Sequence, residues 1–266
     1  SNENEVVKEK LTDFTTQIKK MLRIFYFTFQ LIKIAKKENV SIIHAHAMFF
    51  CAIPAKVASL LLKKPMIYEI RSLWEERYKS GNLIVKCLFQ LITLLETLSM
   101  FLSDEIIVIN QNLKENLKKR FMLRNKTIRV VPNAVDLSNI NIIDSLKRPL
   151  TFSYIGTISP IEGLDLLIYC FNNLYKKGFK NRLLIFGDGL AKKNLINISK
   201  NNPLIEFRGK FFQKDIAQVY SEVDVIVNPR RKSYLTDSVT PLKPLEAMAY
   251  RKLVIASDIG GMKELI

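Results

Sequence analysis

The sequence predicts an α/β fold made of two consecutive parallel-sheet domains. Three observations carry this. Short apolar, strand-like runs alternate with amphipathic helical stretches along nearly the whole chain. A segment near the middle breaks the alternation, which then restarts. Apolar residues make up 48% of the 266 and charged residues 25%, the balance of a packed core.

The elements follow in order. Residues 6–37 read as a long basic helix, with Leu11, Phe14, Ile18, Leu22, Phe25, Phe29 and Ile32 at three-and-four spacing. "VSIIHAHAMFF" (40–50) reads as a strand running into a loop, 54–62 as a helix and "PMIYEI" (65–70) as a strand. Residues 83–102 are apolar enough to span a bilayer, but Lys86, Gln90, Glu96 and Thr97 favour a buried helix. "EIIVI" (105–109) is a strand, 111–121 a helix and "TIRVV" (127–131) a strand. "PNAVDLSNINIIDSLKRP" (132–149) has two prolines, three asparagines and no periodicity, so it marks the linker. The division is 1–135 for a first domain, 136–149 for the linker and 150–266 for a second domain. Strands then follow at 150–156, 182–189, 204–207, 224–229 and 253–257. Helices follow at 163–177, 190–200, 213–222 and 241–250, and "GGMKELI" opens a last one. Two such domains place a cleft beyond the carboxyl ends of their strands, where open α/β sheets bind ligands.

Net charge is +16, with the excess leaning toward the first half. Such a field favours nucleic acid, acidic lipid or phosphorylated substrates, and a solvated basic surface is the plainer alternative. There is no zinc finger and no basic-aromatic interleaving, so a nucleic-acid partner is not expected. Cys51, Cys87 and Cys170 lie far apart, without metal or redox spacing. They read as buried apolar residues of a reducing compartment. The polar, acidic opening "SNENEV" is not a targeting signal.

Four strand-end stretches carry candidate chemistry. "YIGTISPIEGLDLL" (154–167) ends a strand at Gly156 and opens a helix near Gly163. Close backbone approach and free helix-tip N–H groups suit a phosphate, with an ordinary βα turn as the alternative. "FGDG" (186–189) is a strand followed by a tight turn. In "NPRRKSYLTDSVTPLKPLEAMA", Pro241 suits a first helical turn, leaving the Leu242 and Lys243 amides pointing out of the helix start. Arg230, Arg231 and Lys232 leave the preceding strand nearby. A diphosphate here would meet amides, a helix dipole and cations together. Glu246, one turn in, suits a vicinal diol such as ribose; a buried cap or ion-pair role is the alternative. His44 and His46 are read as facing opposite sides of their strand, one packed and one toward the cleft, with a core role as the plainer reading.

Together "IIHAH", "YEIRSLWEE", "VVPNAVD", "YIGTISPIEGLDLLI", "LLIFGDG", "TPLKPLEAMA" and "LVIASDIGGMKELI" stand in the order of the retaining glycosyltransferases of family 4, which the chain resembles from Val40 onward. "RSLWEE" and "TPLKPLEAMA" resemble a subgroup associated with exopolysaccharide synthesis. The resemblance implies the GT-B architecture, α/β with two Rossmann-like parallel-sheet domains facing a cleft, here truncated at both ends. The opening strand with its Gly-rich loop and the closing helices are the missing parts. It implies a nucleotide-sugar donor, a glycan or lipid-linked acceptor, front-face departure with retention, no cofactor and no metal. The implied donor-binding residues are Gly156, Thr157, Ser159, Gly187, Arg230, Arg231, Leu242, Lys243 and Glu246; the implied catalytic residues are His46 and Asp237.

Three departures stand out. The first Glu of the family's Glu-x7-Glu pair falls at Ser238, with Asp237 the nearest carboxylate. The usual Arg and Lys of the phosphate loop fall at Thr157 and Glu162, so Arg230, Arg231 or Lys243 is expected to replace part of their charge. Pro241 stands where Gly is frequent. The expected function is hexosyl-type transfer in surface-polysaccharide synthesis, in the cytoplasm at the inner face of an anionic membrane. A nucleotide-sugar epimerase and a non-catalytic nucleotide- or glycan-binding module are the alternatives.

Overall fold

A computed structural model describes residues 14–46, 48–73, 75–76, 83–138, 140, 149–200 and 202–266. Residues 6–13 of the expected first helix, and 139 and 141–148 of the expected linker, lie outside the described residues. The chain divides between Val131 and Pro132 into two compact units.

The first unit runs α1 (Phe14–Lys37), β1 (Ile43–His46), α2 (Phe49–Leu62), β2 (Met66–Ile70), α3 (Leu83–Leu102), β3 (Glu105–Val108), α4 (Gln111–Lys118) and β4 (Ile128–Val130). Its sheet has the order β1-β2-β3-β4, with every pairing parallel. One face is apolar. Ile43, Ala45, Met66, Tyr68, Ile106 and Val108 are buried in one cluster with Ala52, Ala55 and Ala58 of α2 and Leu113 and Leu117 of α4. The alternate positions carry His44, His46 and Glu69, as a period of two requires.

α2 begins at Phe49, earlier than the sequence predicts, and continues through Pro54. Its N-cap, Met48, offers no side-chain cap. Glu96 supplies one instead from α3: Oε1 accepts the Phe49 amide at 2.8 Å, and Oε2 accepts the Tyr68 hydroxyl at 2.6 Å. A carboxylate at a helix start satisfies an orphan N–H and meets the positive dipole end. α3 is buried on one side only: Glu96, Thr97 and Met100 face inward, whereas Leu91, Leu94 and Leu98 are exposed. Its Val85–Leu102 stretch has the length and hydropathy of a membrane span. The cysteines also depart from expectation. Cys87 on α3 and Cys170 are exposed and Cys51 is half-buried, because each sits off the apolar stripe of its helix.

The second unit runs β5 (Thr151–Ile155), α5 (Leu164–Lys176), β6 (Arg182–Phe186), α6 (Lys192–Ser199), β7 (Ile205–Gly209), α7 (Ile216–Ser221), β8 (Val225–Asn228), α8 (Tyr234–Ser238), α9 (Leu242–Ala249), β9 (Leu253–Ala256) and α10 (Gly260–Lys263). Its sheet has the order β7-β6-β5-β8-β9, again all parallel. Apolar clusters cover both faces, Tyr154, Ile168 and Ile185 on one and Ile155, Leu184, Phe186 and Ala247 on the other. That is why these strands read as continuous apolar runs. α8, unseen in the sequence, is nucleated by a capping box in which Ser233 and Thr236 bond each other's amides.

The same device fixes strand register in both units. Asp104, just before β3, accepts the Met66 amide at 2.8 Å and donates its own amide to the Met66 carbonyl. Asp224, just before β8, does the same with Thr151 at the start of β5. In the second unit this locks together β5 and β8, the pair at which strand order reverses. Ligands of open α/β sheets bind beyond the carboxyl ends at such a reversal.

Candidate functional site

The loops after β5, β6 and β8 and the start of α9 meet at that reversal. Gly156 follows β5 with φ of 150°, and Gly187 follows β6 with φ of 127°. A Cβ on Gly187 would lie 1.8 Å from the Gly156 carbonyl oxygen, so the two loops pack backbone to backbone only because residue 187 is glycine. The Gly156 amide bonds the Phe186 carbonyl at 2.9 Å and the Ile158 amide bonds the Asp188 carbonyl at 2.9 Å, which stitches the loops together.

Lys243 occupies the space over Gly156. A Cβ there would fall 1.8 Å from Lys243 Nζ. The amine donates to the Tyr154 hydroxyl at 3.0 Å and lies 4.8 Å from that ring's centroid. The Tyr154 hydroxyl donates in turn to the Thr157 carbonyl at 2.9 Å. Burial draws the Lys243 ammonium below its ordinary pKa; Glu162 opposes the shift, Arg230 adds to it and Glu246 opposes it again, with a net downward result. A cation so placed gains from an arriving anion.

The α9 start carries positive potential of its own. Its N-cap is Pro241, with no side-chain cap, and the third helical residue, Pro244, has no N–H. Among the described residues no hydrogen bond reaches the Leu242 or Lys243 amide, so two orphan donors and the positive helix end point outward. Thr240, just before the cap, is buried, and its carbonyl accepts from Asn133 Nδ2 at 2.9 Å. Glu246, one turn in, is half-buried. Tyr220 donates to its Oε2 at 3.2 Å, and the Tyr220 ring stacks on Tyr250 at 4.3 Å. The other carboxylate oxygen of Glu246 is a further acceptor at the same place.

The other expected residues are placed as follows. Arg230 is turned into the fold: Nε and Nη2 grip buried Glu162 at 3.2 and 3.0 Å. Its Nη1 and the Nδ2 of Asn228 are buried without a partner among the described residues. Glu162, standing where the resemblance expects Lys, is thus neutralised by Arg230. Arg231 is exposed and pairs with Asp165. Thr157 is exposed, and Ser159 leads into a single 3-10 turn at Pro160–Glu162. Ser159 and Arg231 line a pocket of about 360 Å³ with Pro160, Asp165, Leu190 and Asn194. Ser238 is fully buried and its hydroxyl donates back to the Tyr234 carbonyl at 2.8 Å. Asp237 is half-buried on α8. Of the three cations considered for the phosphate loop, Lys243 alone is aimed at Gly156. Tyr154, Tyr220 and Glu162 were not singled out as ligand-shaping residues from the sequence. The signal was faint: a tyrosine in a core strand or helix needs a partner for its hydroxyl.

In the first unit His46 lies on β1, and one expectation is overturned there. His44 and His46 do not face opposite sides. Residues two apart in a strand share a face, and the two rings stack at 4.3 Å on the exposed side.

Comparison with known proteins adds the following. A family model described as "Glycosyltransferase Family 4" matches residues 3–139, and one described as "Glycosyl transferases group 1" matches 149–266. The phosphatidylinositol N-acetylglucosaminyltransferase gpi3 subunit of Schizosaccharomyces pombe is 25% identical over 243 residues, covering 86% of this chain and 49% of that protein. The capsular polysaccharide biosynthesis glycosyltransferase CapM of Staphylococcus aureus is 23% identical over 223 residues, covering 77% and 55%. The crystal structure of Anabaena HepE in complex with UDP and glucose superposes with a TM-score of 0.65 at 16% identity, covering 90% of this chain and 64% of that one. The chain therefore spans about half the length of these two curated relatives. Its two parallel sheets fit the two Rossmann-like domains of the GT-B architecture.

Proposed function

The chain belongs to glycosyltransferase family 4, and we propose that it transfers a hexose-type unit from a nucleotide-sugar donor to a glycan or lipid-linked acceptor, with retention, in surface-polysaccharide synthesis. The observation that carries this is the grouping at the start of α9: two orphan amides, the Lys243 ammonium held by Tyr154, and Glu246 held by Tyr220 one turn behind. The diphosphate would take the amides and the ammonium, and Glu246 would take the ribose hydroxyls. The HepE complex contains UDP, which makes uridine nucleotides the first donors to try. The surface-polysaccharide role is supported by the likeness to CapM.

In this reading the bond from the anomeric carbon to the phosphate oxygen breaks. The acceptor oxygen joins the same face of the sugar, and its proton passes to the departing phosphate. The helix end and Lys243 stabilise the developing phosphate charge, so the proposal needs no metal or cofactor for this step. The sugar-side roles of His46 and Asp237 rest on the family resemblance.

The acceptor side is proposed to work at the inner face of an anionic membrane. α1 exposes Phe25, Tyr26 and Phe29 alongside Arg23 and Lys33. Sedimentation with vesicles of acidic and of neutral lipid at low salt tests this, and equal pelleting with both rejects it.

A thermal-shift screen of nucleoside diphosphates and nucleotide sugars tests the donor site. A ligand at 100 times its Kd adds about 2.7 kcal/mol of apparent stability. No response to any nucleotide sugar would sink the reading. A second reading, a binding module without turnover, is favoured by the inward-turned Ser238 hydroxyl at the position of the family's first Glu. Donor binding without sugar transfer across a panel of acceptors would select it.

A further inference from the structure

The helices that cover the first sheet carry an apolar outer face that the core does not use. α2 and α3 are successive parallel crossovers, from β1 to β2 and from β2 to β3, so they lie side by side on one face of the sheet and run the same way. Their inner sides enter the core through Ala52, Ala55 and Ala58 of α2 and Met100 of α3. Their outer sides carry Phe50, Ile53, Val57 and Leu60 on α2, and Leu91, Leu94, Leu98 and Phe101 on α3. Both sets advance by three, four and three residues, so each is a single stripe. These side chains are 38–66% exposed. Polar residues occupy such a face in an ordinary surface helix, and contiguous apolar exposure marks an interaction surface.

Charge names the occupant. α1, α2 and α3 all end beside the N-terminal ends of the strands. Lys36 and Lys37 close α1, and Lys63 caps α2 with Lys64 next to it. Lys126 lies at the end of α3, 2.7 Å from the Ser103 carbonyl and 5.6 Å from the centroid of the Phe101 ring. Of the acids at this rim, Glu38 pairs with Lys37 at 3.5 Å and Asp104 with Lys56 at 3.9 Å. Lysines along one rim of an apolar face match acidic headgroups beside acyl chains. α3 is not free to cross a bilayer, because buried Glu96 ties it to the Phe49 amide and the Tyr68 hydroxyl. Only its outer side is available, which places the helix in the plane of an interface.

We propose that the outer face of α2 and α3 inserts into the headgroup–acyl boundary of an acidic bilayer, with Lys36, Lys63, Lys64 and Lys126 on the headgroups. The inference rests on the membrane reading given for α1 and extends it from contact with headgroups to insertion of a face.

The test uses the full chain with a single reporter thiol. Cys87 is exposed on the α3 stripe, four residues before Leu91. With Cys51 and Cys170 changed to Ser, it takes an environment-sensitive fluorophore. With all three native cysteines changed to Ser, Arg129→Cys carries the same label on the opposite face of the sheet, where Arg129 stands in register with Ile107. On vesicles of equal parts phosphatidylglycerol and phosphatidylcholine, the Cys87 label should shift to the blue and be quenched by a nitroxide on the acyl chain. The Arg129→Cys label should do neither. Leu60→Glu and Leu94→Glu should each weaken vesicle binding about tenfold or more, with circular dichroism unchanged. Pelleting with an unshifted Cys87 label overturns this inference and leaves the α1 reading standing; no pelleting overturns both. An equal response from the two labels overturns it, as does binding that neither Glu variant weakens. Self-association that the Glu variants abolish, without vesicle uptake, assigns the face to a second copy instead.

Discussion

Lys243 Nζ stands 3.0 Å from the Tyr154 hydroxyl, in the volume that a side chain at position 156 would fill. A helix-start cation, a core-strand tyrosine and a strand-end glycine therefore form one unit, although Lys243 and Tyr154 are 89 residues apart in sequence.

Replacing Lys243 with Met should weaken uridine diphosphate and inorganic pyrophosphate alike. A charge-assisted hydrogen bond is worth about 1.5–3 kcal/mol, or about 10- to 150-fold in Kd. Because the ammonium is held below its ordinary pKa, native-chain affinity should fall as pH rises through that lowered value, while the Met variant stays flat. Calorimetry across the alkaline range reads both effects.

Gly156→Ala should remove donor binding without unfolding the unit. The added methyl meets Lys243 Nζ and forces φ of 150° on an L-residue. The lysine tip can move; the backbone strain costs about 1–3 kcal/mol. Thermal melting should show a lowered Tm with a cooperative transition, alongside lost uridine diphosphate binding.

Tyr220→Phe should separate the nucleoside from the phosphates. Loss of the hydroxyl frees Glu246 from its 3.2 Å contact, at about 0.5–1.5 kcal/mol. Uridine diphosphate affinity should drop severalfold and pyrophosphate affinity should not change. Glu246→Gln should act in the same direction.

Glu162→Ala alone, or Arg230→Ala alone, should destabilise the second unit by about 3–5 kcal/mol, since each strands a buried charge. The double replacement Glu162→Met with Arg230→Met should restore most of that loss. Urea unfolding of the three variants decides it, and additive losses would contradict an ion-pair role.

Glu96 sets a pH dependence for the first unit. Burial raises its pKa above the ordinary 4.5, against the lowering effect of the Tyr68 and Phe49 hydrogen bonds. The folded state therefore binds the proton more tightly than the unfolded chain. Stability contributed by this group rises as pH falls from above the folded pKa toward 4.5. Glu96→Gln removes that slope, so the difference in stability between native and variant chains should change with pH across this window and be constant above it. Denaturant unfolding from pH 8 to pH 4.5 measures it.

The alternating elements were legible because their signals are local. Apolar runs at β5, β6 and β8 and helical spacing in α5 and α9 depend on residues within one element, and so do Gly156 and Gly187 at strand ends. The helix-start reading of Pro241, Leu242, Lys243 and Glu246 was local for the same reason. Cross-element pairings were not legible. Glu96 capping α2, Glu162 gripping Arg230 and Tyr220 holding Glu246 join residues 47, 68 and 26 positions apart, and no spacing rule reaches that far. The early start of α2 follows from the first of these.

The order of residues by itself determined most of the strands and helices, which strand ends carry glycine, and that a helix opens at Pro241. Tertiary structure alone decided that, of the three cations considered, Lys243 reaches Gly156, and that Glu69 faces both histidines. The physical reason is range. Backbone periodicity and capping act over a few residues, whereas charge partners are chosen by the register of parallel strands, which aligns residues far apart in the chain.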